Sequence, residues 1–201
     1  IHSFYNRSHG SPQAQDDPFA IDMAANPQLK ALYLDAEHED GYLRDQSVFG
    51  DGISIEDTMA VMVRYQSGTL MTYSLNAYLP WEGFRIAFNG DKGRIQLHVT
   101  EKSYINSGGD LAAEGATLGK SLTVFPMHAE PYDVPIIEAE GGHGGGDPIL
   151  LNDLFGEPTE DPLDRAASYA DGATSILTGI AANESICTGL PVRIRDLVDL
   201  K

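Results

Sequence analysis

A chain of 201 residues, 42% hydrophobic and 21% charged, is long enough to bury about 70% of the surface its unfolded form exposes. Thirty Asp and Glu against thirteen Lys and Arg give a net charge of −17, which excludes nucleic acid and anionic membrane surfaces as partners, because both demand a basic face. No apolar run approaches the ~20 residues that span a bilayer, and a single cysteine, Cys187, excludes an internal disulfide framework and a cysteine-rich zinc site.

Residues 1–54 read as a polar, irregular lead-in, with one short helix predicted from Pro27 to His38. Within it, Asp35-Ala-Glu37-His38-Glu39-Asp40 concentrates carboxylates around a histidine; a solvated helix end competes with a divalent-cation site as its explanation. Arg44 and Asp45 form a charged pair suited to vicinal hydroxyls, or a plain surface ion pair.

From Ile55 the pattern changes to period two, and residues 55–201 read as the body of the same domain. Met59, Val61, Val63 and Tyr65 alternate with polar neighbours, Ser67-Gly68 breaks the run, and a second strand is predicted from Thr69 to Leu79. Tyr78 and Trp81 follow its end, where they either stack on a sugar ring or pack as buried or interface aromatics. Phe84, Ile86 and Phe88 mark a third strand, Asn89 to Gly93 a turn, and Ile95, Leu97 and Val99 a fourth, together an antiparallel meander. A loop is predicted over Asn106–Lys120, then strands at Ser121–Phe125 and Tyr132–Glu138.

Gly141 to Asp153 (Gly-Gly-His-Gly-Gly-Gly-Asp-Pro-Ile-Leu-Leu-Asn-Asp) places His143 on a bare glycine loop before a helix. Asp147 is the expected N-cap and Pro148 the first helical residue of a helix ending at Phe155. The positive end of that helix suits oxygen-rich groups, although a structural loop histidine explains the same residues. A long helix is predicted from Asp161-Pro162, burying Leu163, Ala166, Ala170, Ala173, Leu177 and Ile180, until Gly189 and Pro191 end it. Pro191 to Ile194 then reads as a last strand. The predicted fold class is α+β: an open, mainly antiparallel β-sheet with helices packed on one face.

Two nucleotide motifs fail on spacing. Gly115 to Ser121 is one residue short of a phosphate-binding loop, and Asp147 stands where a dinucleotide fingerprint starting at Gly142 needs its third glycine.

Taken in order, three stretches resemble the C-terminal domain of the Gfo/Idh/MocA oxidoreductases, which include glucose-fructose oxidoreductase and inositol dehydrogenase. They are Ile55 to Thr69, Gly83 to Ile95 with its strand–Gly-Asp-Lys-Gly–strand signature, and Asp164 to Arg193 with Tyr169, Asp171-Gly172 and Gly189-Leu-Pro-Val-Arg. Gly142 to Asp147 is similar to the His-Gly-Gly-x-Asp element of a branch that also contains NAD-dependent glycosidases.

The resemblance implies hydride exchange between a sugar or polyol hydroxyl carbon and NAD or NADP. The cofactor would be bound by an N-terminal Rossmann domain absent from this sequence, with none bound by this chain alone. It implies that the present residues bind substrate and pair subunits into a homo-oligomer through the open sheet face, and that this chain alone is inactive. No catalytic, cofactor or metal residue is assigned. The substrate-facing candidates are His143, Asp147, Arg44, Asp45, Tyr78 and Trp81. A non-catalytic carbohydrate-binding or oligomerisation module is the competing class. The chain opens on Ile1 without a signal peptide, so a longer polypeptide is expected, soluble and most simply cytoplasmic.

Overall fold

The computed structural model describes residues 5–102, 118–136, 142–157 and 160–198, with the side chains of residue 102 and residues 142–144 excepted. The chain divides into two compact units, one drawn from Ile1–Met59 and Leu75–Leu151, the other from Ala60–Ser74 and Asn152–Lys201. The fold is α+β, with antiparallel sheets and a few helices.

The first unit opens with a segment that is more tightly packed than its polar sequence suggests. Helix α1 (Pro27–Leu29) runs directly into a π-helical turn, Lys30–Leu34, and α2 (Glu37–Asp40) follows. Asn26 caps α1 by accepting from the amides of Gln28 and Leu29. Met23 and Leu29 are almost sealed from solvent, and so is Asp45. The helix predicted over Pro27–His38 therefore exists in pieces. Its N-terminal neighbours are held by backbone pairing, with Arg7 bridged to Gln46, the Ser8 amide on the Asp45 carbonyl and the Ser47 amide on Asn6.

The sheet of this unit has four strands in sequence order: β3 (Glu82–Gly90), β4 (Gly93–Lys102), β5 (Gly119–Pro126) and β6 (Tyr132–Asp133). All pair antiparallel, as the meander pattern requires. The tight turn at Gly90–Gly93 fixes the register, and the register sorts the side chains. Phe84, Ile86 and Phe88 face Val99, Leu97 and Ile95, which continue to Leu122 and Val124 on β5. The opposite face carries Arg85, Asn89, Arg94, Gln96, His98, Ser121 and Thr123. The first face is mainly apolar, with Lys120 opposite Val99 as its exception; the second is mainly polar, and also carries Ala87, Phe125 and the carboxylate of Asp133.

Strands β1 (Thr58–Arg64) and β2 (Leu70–Asn76) form a separate hairpin, a correction to the single meander expected from the sequence. Its turn closes through the Tyr65 amide on Thr69 and the Gly68 amide on Tyr65. Met59, Val61 and Val63 are half-buried while their neighbours are exposed, which is the alternation read from the sequence.

The second unit contains the long helix α4 (Tyr169–Thr188) and the short α5 (Ile194–Leu197). Helix α4 starts seven residues later than predicted, at Tyr169 instead of Pro162. Asp161 instead accepts from the amides of Arg165 and Ala166, closing a local turn, and Asp164 adopts φ 50°, which a continuing helix cannot contain. Ser168 is the true N-cap, in a reciprocal capping box with Asp171. Gly189 ends the helix as expected. The buried side of α4 includes Ala173, Leu177 and Ala181, so the predicted stripe is right over its middle and ends on Ala181 rather than the exposed Ile180. The last strand predicted at Pro191–Ile194 is absent; Arg193 stands at the N-cap position of α5 in its place, without a side-chain capping bond.

Helix α3 (Gly142–Phe155) begins six residues before Pro148, which lies in its interior. Gly145 takes φ 87°, a conformation open to glycine and costly for other residues, so this turn of α3 is irregular.

Candidate functional site

Each candidate has its own set of neighbours. Asp45 is 1% exposed, and its Oδ2 accepts from Arg7 Nε at 3.3 Å and from the His9 amide at 2.6 Å. Arg7 Nη2 also lies 2.8 Å from Asp45 Oδ1 and pairs with Glu37, whose other oxygen receives Arg7 Nη1 at 3.0 Å. The Arg7 guanidinium holds the Glu37 carboxyl below its ordinary range, and Glu37 in turn holds Arg7 in its charged form. Asp45 thus anchors the N-terminal segment through Arg7 and the His9 amide. A buried carboxylate needs a paired cation and amide donors, and Arg7 and His9 supply both.

Arg44 is half-buried, with its guanidinium carbon 4.5 Å from the Tyr33 ring centre and Nη1 3.4 Å from the Tyr33 hydroxyl. Tyr33 in turn meets Tyr42 at 6.1 Å. The carboxylates of the Asp35–Asp40 run disperse: Asp35 pairs with Lys30, Glu37 with Arg7, and Asp40 accepts from the Tyr42 amide. Among the described residues no group of three metal-ligating side chains gathers.

Tyr78 holds φ 57°, a strained conformation for an aromatic residue. Its hydroxyl donates to the Val48 carbonyl at 3.0 Å, and its ring packs 5.2 Å from Phe49 and 6.1 Å from Phe19. These contacts tie the end of β2 to the lead-in.

Trp81 sits beside the polar face of the β3–β5 sheet. It is half-buried, 5.9 Å from the His98 ring, and Arg85 lies over it with its guanidinium carbon 5.3 Å from the indole centre. Arg85 Nε donates to His98 Nε2 at 3.4 Å across the strand pair. A Cβ at Gly83 would collide with the Val99 carbonyl of the paired strand and stand 3.0 Å from the indole edge, so the bare backbone there serves the strand pairing first and also leaves space beside Trp81.

His143 lies in the first turn of α3; its side chain is outside the described residues. Asp147, half-buried, stands inside α3, so it does not form the predicted N-cap. That correction follows from the six-residue extension of the helix.

Sequence reasoning missed Arg7, Arg85 and His98. The last two were within reach of it: once Gly90 pairs with Gly93, counting back along both strands sets Arg85 opposite His98. Arg7 left no such signal, since it meets Asp45 through a bridge 38 positions apart in sequence.

Comparison with known proteins defines the class. Residues 23–194 match the family described as "Oxidoreductase family, C-terminal alpha/beta domain", and this chain belongs to that family, the Gfo/Idh/MocA oxidoreductases. It is 34% identical over 202 residues to the protein named "Putative oxidoreductase YteT" of Bacillus subtilis (strain 168), a match covering 98% of this chain and 43% of that protein. No solved structure matches. The chain therefore spans less than half the length of this relative.

A nicotinamide dinucleotide does not fit what is present. Such cofactors bind where parallel strands feed helix N-termini through glycine turns. Every strand pair among the described residues with a recorded register is antiparallel. No helix among the described residues is long and apolar enough to cross a membrane.

Proposed function

We propose that this chain is the substrate-facing and subunit-pairing part of an oxidoreductase that oxidises a hydroxyl-bearing carbon of a sugar or polyol with NAD or NADP. Membership of the oxidoreductase family over residues 23–194 carries this reading. The longer length of the YteT relative supports a cofactor site in another part of the whole polypeptide. In that arrangement the present residues contribute binding and orientation, and His143, Tyr78 and Trp81 are the ligand-facing candidates.

Similarity of Gly142–Asp147 to the His-Gly-Gly-x-Asp element favours one second reading, an NAD-dependent glycosidase built on the same domain.

The test uses the longer polypeptide that contains this chain. Calorimetry should show it binding NAD or NADP, and a panel of free sugars and polyols should yield nicotinamide reduction. Release of phenol from aryl glycosides without net reduction would favour the glycosidase. Failure to bind either cofactor sinks both readings. The present chain alone should show no dehydrogenase rate, and light scattering should show it self-associating; a monomer at high concentration counts against the pairing role.

A further inference from the structure

The polar face of the β3–β5 sheet stands out against the charge of the chain. In a polypeptide with thirty acids and thirteen Lys and Arg, Arg85 and Arg94 share this face, and neither meets a carboxylate among the described residues. Arg94 is satisfied by the amide oxygens of Asn89 and Gln96. Among the described residues Arg85 donates through Nε alone, to His98, and the Nη donors of its fork meet no acceptor there.

The neighbours of Arg85 narrow what that acceptor is. Arginine always donates, so His98 Nε2 is the acceptor of this bond, and the imidazole brings a second polar ring to the same spot. Trp81 adds an apolar ring face within 6 Å of both groups. One planar cationic fork, one imidazole and one indole together match a ligand with a single carboxylate, a hydroxyl and a ring carrying C–H bonds. A doubly charged phosphate is less well matched, because Arg94 stands four residues from His98 along β4, about 13 Å of backbone, and its guanidinium is already held by Asn89 and Gln96.

We infer that Trp81, Arg85 and His98 form a binding site for a carboxylate-bearing sugar, a uronic acid. The sugar component rests on the function proposed above; the anion component rests on the two arginines and their register. Gly83 borders the site, its missing side chain leaving space beside the indole.

Trp81 is the only tryptophan of the chain, so its fluorescence reports on this site alone. Titration with glucuronate should change that emission saturably, and glucose should bind at least about tenfold more weakly, the factor expected for losing one charge-assisted hydrogen bond. Arg85→Gln should abolish the glucuronate response by the same factor or more while the unfolding midpoint stays unchanged. Arg94→Gln should leave the response intact. An equal response to glucose, acetate or inorganic phosphate overturns the inference. So does an absent response, or a loss shared equally by the Arg94 variant, which would mean diffuse charge. No nicotinamide enters this titration, so its failure leaves the hydride-transfer reading standing, and the reverse also holds.

Discussion

Asp45 shows that the sequence neighbour of a side chain need not be its partner in space. A carboxylate next to an arginine in sequence suggests a ligand grip, but its nearest cation in space comes from position 7. Removing it strands Arg7 beside Glu37 and leaves the His9 amide without its acceptor. Asp45→Ala is expected to cost about 2–4 kcal/mol, the range for breaking a buried charged pair that keeps some solvent access. Urea unfolding should show a lower midpoint at an unchanged slope, and an unaltered midpoint would remove Asp45 from the structural account. Nothing in the local sequence reveals this role, because burial depends on a segment that returns from a distance.

At the scale of elements, the strands of the two sheets were legible, whereas the strand read at Pro191–Ile194 and the helix starts were not. Period-two patterning located β1 to β5, because alternation survives whatever packs against the sheet. Helix starts depend on which of several capping residues wins. Both Asp161 and Ser168 offer an oxygen to free amides; Asp161 spends it on a turn, and the left-handed Asp164 blocks continuation. At Ser168 the cap is reciprocal, and its hydroxyl, with its amide, holds the Asp171 carboxyl below the ordinary range. Ser168→Ala should therefore destabilise the second unit by about 1 kcal/mol near neutral pH. The sign with pH follows from the lowered value. The contribution of Asp171 is complete above the ordinary carboxylate range and disappears as pH falls through its lower folded value. Helical circular dichroism of the variant and parent should thus converge in acid. A gap that widens on acidification would contradict the capping box.

For the whole molecule, the excess of acids shapes behaviour that no single contact controls. Repulsion among groups totalling −17 opposes the compact state, and added salt screens it. Raising sodium chloride from about 0.02 M to about 0.2 M, which cuts the screening length roughly threefold, should raise the thermal midpoint. A midpoint that falls would mean that ion pairs such as Arg7–Glu37 and Lys30–Asp35 outweigh the general repulsion. The family could be recognised from ordered stretches beyond Ile55, yet the deepest packing of the first unit lies earlier, around Met23, Leu29 and Asp45. Polar composition concealed it, since that region is knit by side-chain and backbone hydrogen bonds as much as by apolar residues. The boundary suggested by the family match, residue 23, is consequently a poor place to cut the gene. A polypeptide begun there would discard Tyr5, Arg7 and the His9 amide, and would keep a sealed carboxylate whose counter-ion had been thrown away.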